Sequence, residues 1–366
     1  MGETSVSYKC PSCTAPLSYK PGDEKITCEF CGAEVSISTL EGLYNQQEKM
    51  AAAVDAARQA KWNTAEAGDQ WSQQEAEMMK AYTCSSCGAE IVCDENTMAT
   101  ECCYCGNPTM LPQRFDNGLK PDFVIPFKVT KEEAKAKLKE FYDGKKLLPN
   151  GFASQNRIES IQGMYVPFWL FDSGLTASAT FEATRSRTYS SGSDDITETE
   201  HYRCDRSGYM RFEKVPCDGS EKMDDEYMES IEPYDYSEMV PFTTAYLAGY
   251  LADKYDVDAE ASVPRADERV NQTAIDTLEE TVVGYDDCTV GDNCVLKNEN
   301  SVKYAMAPVW ILSTKYQDKP YTFVMNAQTG KFVGSLPIDS NKANMWTIGT
   351  FIPAAILIYF IAKMFV

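Results

Sequence analysis

Hydrophobic positions along this chain change period several times, and each change marks an element. Phe123-Val124-Ile125-Pro126-Phe127 is a short apolar run that predicts a strand. Lys131 to Tyr142 follows with apolar Ala134, Leu138 and Phe141 at helical spacing. Met164-Tyr165-Val166-Pro167-Phe168-Trp169-Leu170-Phe171 predicts a buried strand. Ile196–Arg203 and Tyr209–Val215 alternate around Asp205-Arg206-Ser207-Gly208, which predicts a β-hairpin. Thr243 to Tyr255 predicts a helix. Residues 41 to 81, rich in Ala and Gln with Met50, Val54 and Ala57 on one face until Gly68, predict a helical linker.

Part of this pattern is repeated. Pro167-Phe168-Trp169-Leu170 returns as Pro308-Val309-Trp310-Ile311 at an offset of 141. That offset lays the first helix over Gln272 to Val283, with Ala274, Ile275, Leu278 and Val282 as its stripe. The later copy continues through Tyr321–Asn326, a turn at Ala327-Gln328-Thr329-Gly330, and Lys331–Gly334. The expectation for 119–340 is a duplicated helix-plus-antiparallel-sheet domain of α+β class, with an insert. The insert carries the acidic run Met223 to Tyr236, which lacks the ligand order and central glycine of an EF-hand and predicts a solvated face. From Trp346 to Val366 the chain is apolar except for Lys363; such a helix is about 31 Å long, so 345–366 predicts a transmembrane helix. Trp346, Tyr359 and Lys363 suit the two interfaces.

The cysteines carry the candidate chemistry. Cys10-Pro11-Ser12-Cys13 precedes Cys28-Glu29-Phe30-Cys31-Gly32 by fourteen residues, and Cys84-Ser85-Ser86-Cys87-Gly88 precedes Cys102-Cys103-Tyr104-Cys105-Gly106 by the same fourteen, a constant offset of 74. Two cysteines three apart on a tight turn aim both sulfurs at one ion, and a glycine after the second supplies positive φ. Two such turns face to face close a tetrahedral S₄ shell, which marks a structural rather than a catalytic Zn²⁺. The expected ligands are Cys10, Cys13, Cys28 and Cys31 in a zinc ribbon over 8–35, and Cys84, Cys87, Cys102 and Cys105 in a second over 82–112, with the helical linker at 36–81 between them. Cys102 is chosen over Cys103 because it keeps the two-residue gap to Cys105. Cys93, Cys103, Cys204, Cys217, Cys288 and Cys294 are read as bystanders. Four thiolates also suit iron. Disulfides and thioredoxin-type redox chemistry fit this double-knuckle spacing less well.

Composition narrows the function classes. With 34 Lys+Arg against 55 Asp+Glu the 366-residue chain carries −21, and it has no long basic stretch to follow a phosphate backbone, so nucleic acid is disfavoured as a partner. Tyr8, Lys9, Lys20 and Lys25 are a sparse set for the alternative, a tethered nucleic-acid-binding ribbon protein. His201 is the one histidine. Neither a nucleophile elbow nor a phosphate-cradling Gly-rich loop is present, so the expectation is a non-enzymatic protein. The N-terminus shows no basic and apolar leader, and Val6 occupies the Ser/Thr place of a myristoylation signal, so the expectation is a chain that starts in the cytoplasm.

The second knuckle block through Asn107-Pro108, the Ile125-Pro126-Phe127 strand, the Tyr165–Phe171 run, Ser230-Ile231-Glu232-Pro233-Tyr234-Asp235 and Gln328-Thr329-Gly330-Lys331 together resemble bacterial membrane-associated zinc-ribbon proteins. These are often labelled TFIIB-type and sometimes primosomal replication-restart helicases. Members often carry proline where Cys103 stands. No motor loop of the helicase type exists in this chain. The resemblance implies envelope-stress operons that encode SPFH (flotillin-like) or PspA-like proteins. It thus implies a single-pass cell-membrane protein with cytoplasmic ribbons that recruits cytoplasmic partners as an adaptor.

Overall fold

The computed structural model describes residues 9–17, 25–40, 42–43, 49, 60–113, 115, 118–152, 160–192, 194–223, 225–317 and 319–364. The chain divides into two compact units, one of 1–61, 175–209 and 281–298, the other of 62–174, 210–280 and 299–366.

In the first unit, β1 (Lys25–Thr27) and β2 (Glu34–Ser36) form an antiparallel hairpin over a small core of Ile26, Val35 and Leu40. Most of the expected linker helix, with Met50, Val54 and Ala57, lies outside the described residues. In the second unit, β3 (Met79–Cys84), β4 (Glu90–Asp94) and β5 (Met110–Gln113) form the second ribbon. They continue into a sheet completed by β6 (Phe123–Val124), β7 (Gln162–Ser191), β8 (Asp194–Asp218), β9 (Val240–Pro241), β10 (Leu251–Asp253), β11 (Asp287–Tyr316), β12 (Lys319–Asn326) and β13 (Phe332–Gly334). This sheet has eleven strands, with the main order β13-β12-β11-β7-β10-β4-β3-β5. β7, β8 and β11 each give residues to both units.

Several expectations are corrected here. The second ribbon is an edge of the large sheet, because β4 pairs antiparallel with β10. That sheet is mixed rather than two antiparallel copies: β10 runs parallel to β7, and β6 parallel to β11. Asp205-Arg206-Ser207-Gly208 is mid-strand in β8. The β7–β8 pairing holds that segment extended, with the Thr180 hydroxyl donating to Asp205 Oδ1 at 2.8 Å. Where a helix was expected at Thr243–Tyr255, a 3-10 turn at Thr244–Leu247 leads into β10. Residues 60–78, expected to be helical, hold only a 3-10 turn at Thr64–Glu66 and a short helix at Gln73–Glu77.

The two expected helices do form. Lys131–Tyr142 begins at a capping box of Thr130 and Glu133 and buries Ala134, Leu138 and Tyr142. The second starts nine residues earlier than read, at Val263, where Pro264 sits in its first turn, and buries Ala266, Val270, Ala274, Ile275 and Leu278. The Trp motifs lie on β7 and β11, which are neighbours in the sheet.

The C-terminal helix runs Ser340–Met364. Among the described residues no helix is long and apolar enough to cross a membrane, so the transmembrane helix at 345–366, the membrane contact and the single-pass placement are corrected. The early turns are polar and tied to the second unit. Lys342 Nζ donates to the Leu148 carbonyl and to Asn150 Oδ1, both at 2.6 Å, and Lys146 lies 4.6 Å from the Trp346 ring centre. Thr347 and Thr350, with Gly349, dilute the apolar run read from Trp346 onward.

Candidate metal centres

Each metal centre is made from two knuckles, and all four knuckles are built alike. The first cysteine's N–H donates to the carbonyl five residues on, and its own carbonyl accepts from the N–H four residues on. The pairs are Cys10–Ala15 with Thr14–Cys10, Cys28–Ala33 with Gly32–Cys28, Cys84–Ala89 with Gly88–Cys84, and Cys102–Asn107 with Gly106–Cys102, all at 2.8–3.0 Å. The turn closes only if the residue after the second cysteine takes positive φ: Gly32 at 71°, Gly88 at 73°, Gly106 at 67° and, without glycine, Thr14 at 60°.

These turns bring the expected residues together. Cys10, Cys13, Cys28 and Cys31 form one cluster, and Cys84, Cys87, Cys102 and Cys105 the other, with the sulfurs of each all within 4.8 Å of one another. The sulfurs of Cys10 and Cys31 are 3.7 Å apart, Cys13 and Cys28 3.5 Å, and Cys84–Cys105 and Cys87–Cys102 3.6 Å each. A tetrahedron around an ion with metal–sulfur bonds of about 2.3 Å has edges of about 3.8 Å, so the cages fit an ion. A disulfide needs about 2.05 Å, and all the cysteines are free thiols. Four protein sulfurs fill the tetrahedron, so neither cage offers a position to a substrate.

The local electrostatics favour thiolates at the start of a knuckle. The Ser12 amide leads in lowering the Cys10 thiol to about 7, and the amides of Cys31 and Phe30 lower that of Cys28. Cys102 falls to about 4, chiefly through the Cys103 thiol, with the amides of Cys105 and Tyr104 adding to the effect against burial. Thiolates are the ligating form. Asn107, quoted in the sequence reading only for the family resemblance, donates to Ser85 Oγ at 3.0 Å and faces Cys84 Sγ at 3.8 Å.

The other six cysteines lie outside both clusters, although the Cys103 thiol adjoins Cys102. Cys103 is buried in the main core with its sulfur 3.3 Å from that of Met164, and Cys93 donates to the Thr97 carbonyl. Cys204 and Cys217 are buried, and Cys288 and Cys294 half-buried. Of the sparse basic set, Tyr8 and Lys20 lie outside the described residues, while Lys25 pairs with Glu34 at 3.7 Å.

Over 345 residues the chain is 37% identical to the uncharacterized protein YdjG of Bacillus subtilis (strain 168), covering 94% of each. The chain belongs to the YdjG family. No family model matches it, and no solved structure does. The family relation carries no activity, so function must be argued from the two cages and their surroundings.

Those surroundings differ at one pair of residues that the sequence reading did not single out. The offset of 74 equates Glu29-Phe30 with Cys103-Tyr104 at the tip of the second knuckle. Tyr104 packs against both the cysteine cage and the main core, and its hydroxyl is buried. Burial, with the nearby Asp253 carboxyl, pushes its pKa well up. Phe30, by contrast, is 75% exposed. The signal lay in the repeat itself: aligned blocks with a charged residue in one and a cysteine in the other have different surroundings.

Proposed function

We propose that the chain is a non-enzymatic zinc-ribbon adaptor that binds a protein partner through the tip of its first ribbon. The contrast between Phe30 and Tyr104 carries this reading. In the second ribbon the knuckle-tip aromatic is committed to the chain's own core. In the first the equivalent ring stands in solvent beside the exposed Glu29, at the end of a loop held by its cage. An exposed aromatic on a rigid turn loses little conformational entropy when buried by a partner, which is why such rings anchor interfaces. The partner surface that fits is an apolar pocket rimmed by a basic group. The sequence resemblance points to SPFH (flotillin-like) or PspA-like proteins as its source. Zinc is the resident ion of this reading: four thiolates at tetrahedral spacing suit Zn²⁺ and leave it no catalytic position.

The test uses the full-length chain and purified SPFH and PspA-like proteins from the same organism. Elemental analysis should give two zinc ions per chain for wild type and for Phe30→Ala. One partner should bind wild type and lose at least roughly tenfold in affinity with Phe30→Ala. Binding by neither protein, equal affinity of wild type and Phe30→Ala, or metal other than zinc in the cages would overturn the reading.

A further inference from the structure

The C-terminal helix, Ser340–Met364, is fixed at one end and bare along its middle. Its first turn is rooted in the second unit. Asp339 N–H donates to the Leu147 carbonyl at 2.9 Å, and Asp339 Oδ1 accepts from the N–H groups of Asn341 and Lys342 at 2.9 and 3.2 Å. Farther on, Met345, Ile348, Phe351, Ile352, Ile356 and Ile358 are each 51–71% exposed. Large apolar side chains exposed singly need no explanation, but a run of them within about four turns of one helix does.

Their spacing is that of a seam. Written as heptads, Met345 and Ile352 take position a, and Ile348 and Ala355 take d. Phe351 and Ile358 fall at g and Ile356 at e, flanking that seam. The described side chains on the other side are Thr347, Thr350, Pro353 and Ala354, with Trp346 under Lys146. Both hydroxyls there are already bonded, Thr347 to the Ala343 carbonyl and Thr350 to that of Trp346, each at 2.9 Å. The helix can therefore be covered without burying an unbonded hydroxyl.

Charge indicates what covers it. Between Lys342 and Lys363 the sequence has no charged residue, so positions e and g hold none of the Glu and Lys that select a different partner helix. An uncharged seam matches itself. Two copies in register set a on a and d on d about a two-fold axis, and none of the chain's net charge of −21 lies in the contact. The exposed seam presents roughly 600 Å² of apolar surface per copy, about 1,200 Å² for a pair, which reaches the lower limit of specific interfaces. We propose that this helix is the self-association element of the protein, pairing in parallel with the same helix of a second copy along Met345, Ile348, Ile352 and Ala355. The proposal does not depend on the adaptor reading.

Sedimentation equilibrium of the metal-loaded full-length chain in detergent-free buffer, from about 1 to 100 μM, tests it. A monomer–dimer equilibrium is expected. Ile348→Glu and Ile352→Glu each put a charge into the seam at an exposed position, where the fold of the monomer is spared. Each should raise the dissociation constant by at least roughly tenfold. Thr350→Glu, which puts the same charge on the opposite side, should change it by less than about twofold. A monomer throughout that range would overturn the proposal, and so would equal effects of Ile352→Glu and Thr350→Glu. Vesicles of phosphatidylethanolamine and phosphatidylglycerol test the other occupant. Co-sedimentation with them by a chain that forms no dimer in buffer would assign the helix to a lipid surface and overturn self-pairing.

Discussion

The two ribbons share their cages and differ in everything around them, and the difference separates what the metal does from what the fold does. The first cage closes a block whose apolar core is Ile26, Val35 and Leu40, and two of its four cysteines, Cys13 and Cys31, are exposed. None of the second cage's cysteines is exposed, and its strands are part of an eleven-stranded sheet. An ion held in the first ribbon would have to supply most of the folding free energy, since three buried apolar side chains are far too few. One held in the second would lock an edge that other pairings already hold.

The largest effect should come from removing one ligand in each. Cys28→Ser is expected to drop metal content from two ions per chain to one and to remove about 10 kcal/mol of metal-linked stabilisation from the first ribbon. The amides of Ile26 and Val35 should then exchange at unprotected rates. Cys102→Ser should lose its ion equally, yet Ile91 and Val92 should keep protection, because β4 stays paired with β10. Hydrogen exchange read by mass spectrometry decides it. Comparable loss of protection in both ribbons would erase the distinction.

The cages were legible in the sequence and the large sheet was not, for a physical reason. A four-sulfur shell is set by short spacings, so Cys10 to Cys31 and Cys84 to Cys105 announce it unaided. A strand thirty residues long such as β7 or β11 is set by its partners. Local composition at Asp205-Arg206-Ser207-Gly208 favours a turn, and cross-strand pairing with β7 overrides it. The parallel pairing of β10 with β7 joins segments more than eighty residues apart and leaves no periodic trace. The C-terminal run misled for a related reason. Its apolar content was read from Trp346 onward, whereas the helix begins at Ser340 and Lys342 ties its polar first turn to Leu148 and Asn150. The helices at Lys131 and Val263 were readable because their stripes are local.

A smaller effect sharpens the comparison at the knuckle tips. Tyr104→Ala removes a ring packed against two clusters and should cost about 3 kcal/mol in denaturant unfolding of the second unit. Phe30→Ala removes a ring that touches mostly solvent and should change stability by no more than about 0.5 kcal/mol. Similar costs for the two would mean that Phe30 is also packed in the free protein, and the adaptor reading would lose its anchor.

The smallest effect separates backbone strain from packing inside the knuckles themselves. Three of the four left-handed positions are glycine and the fourth is Thr14, a β-branched residue at φ 60° whose hydroxyl donates to the Cys13 carbonyl at 2.7 Å. A β-branched residue in that region carries a cost of about 1 kcal/mol that glycine avoids. Thr14→Gly should therefore tighten metal binding in the first ribbon by roughly fivefold in competition with a chromophoric chelator. The reciprocal Gly88→Thr should loosen the second by a similar factor. A Cβ at Gly88 meets no atom within 4 Å, so any loss there has to come from the backbone and not from a clash. If Gly88→Thr proves neutral, the knuckle tolerates side chains at positive φ without strain, and the glycines of this motif mark amide access to sulfur instead.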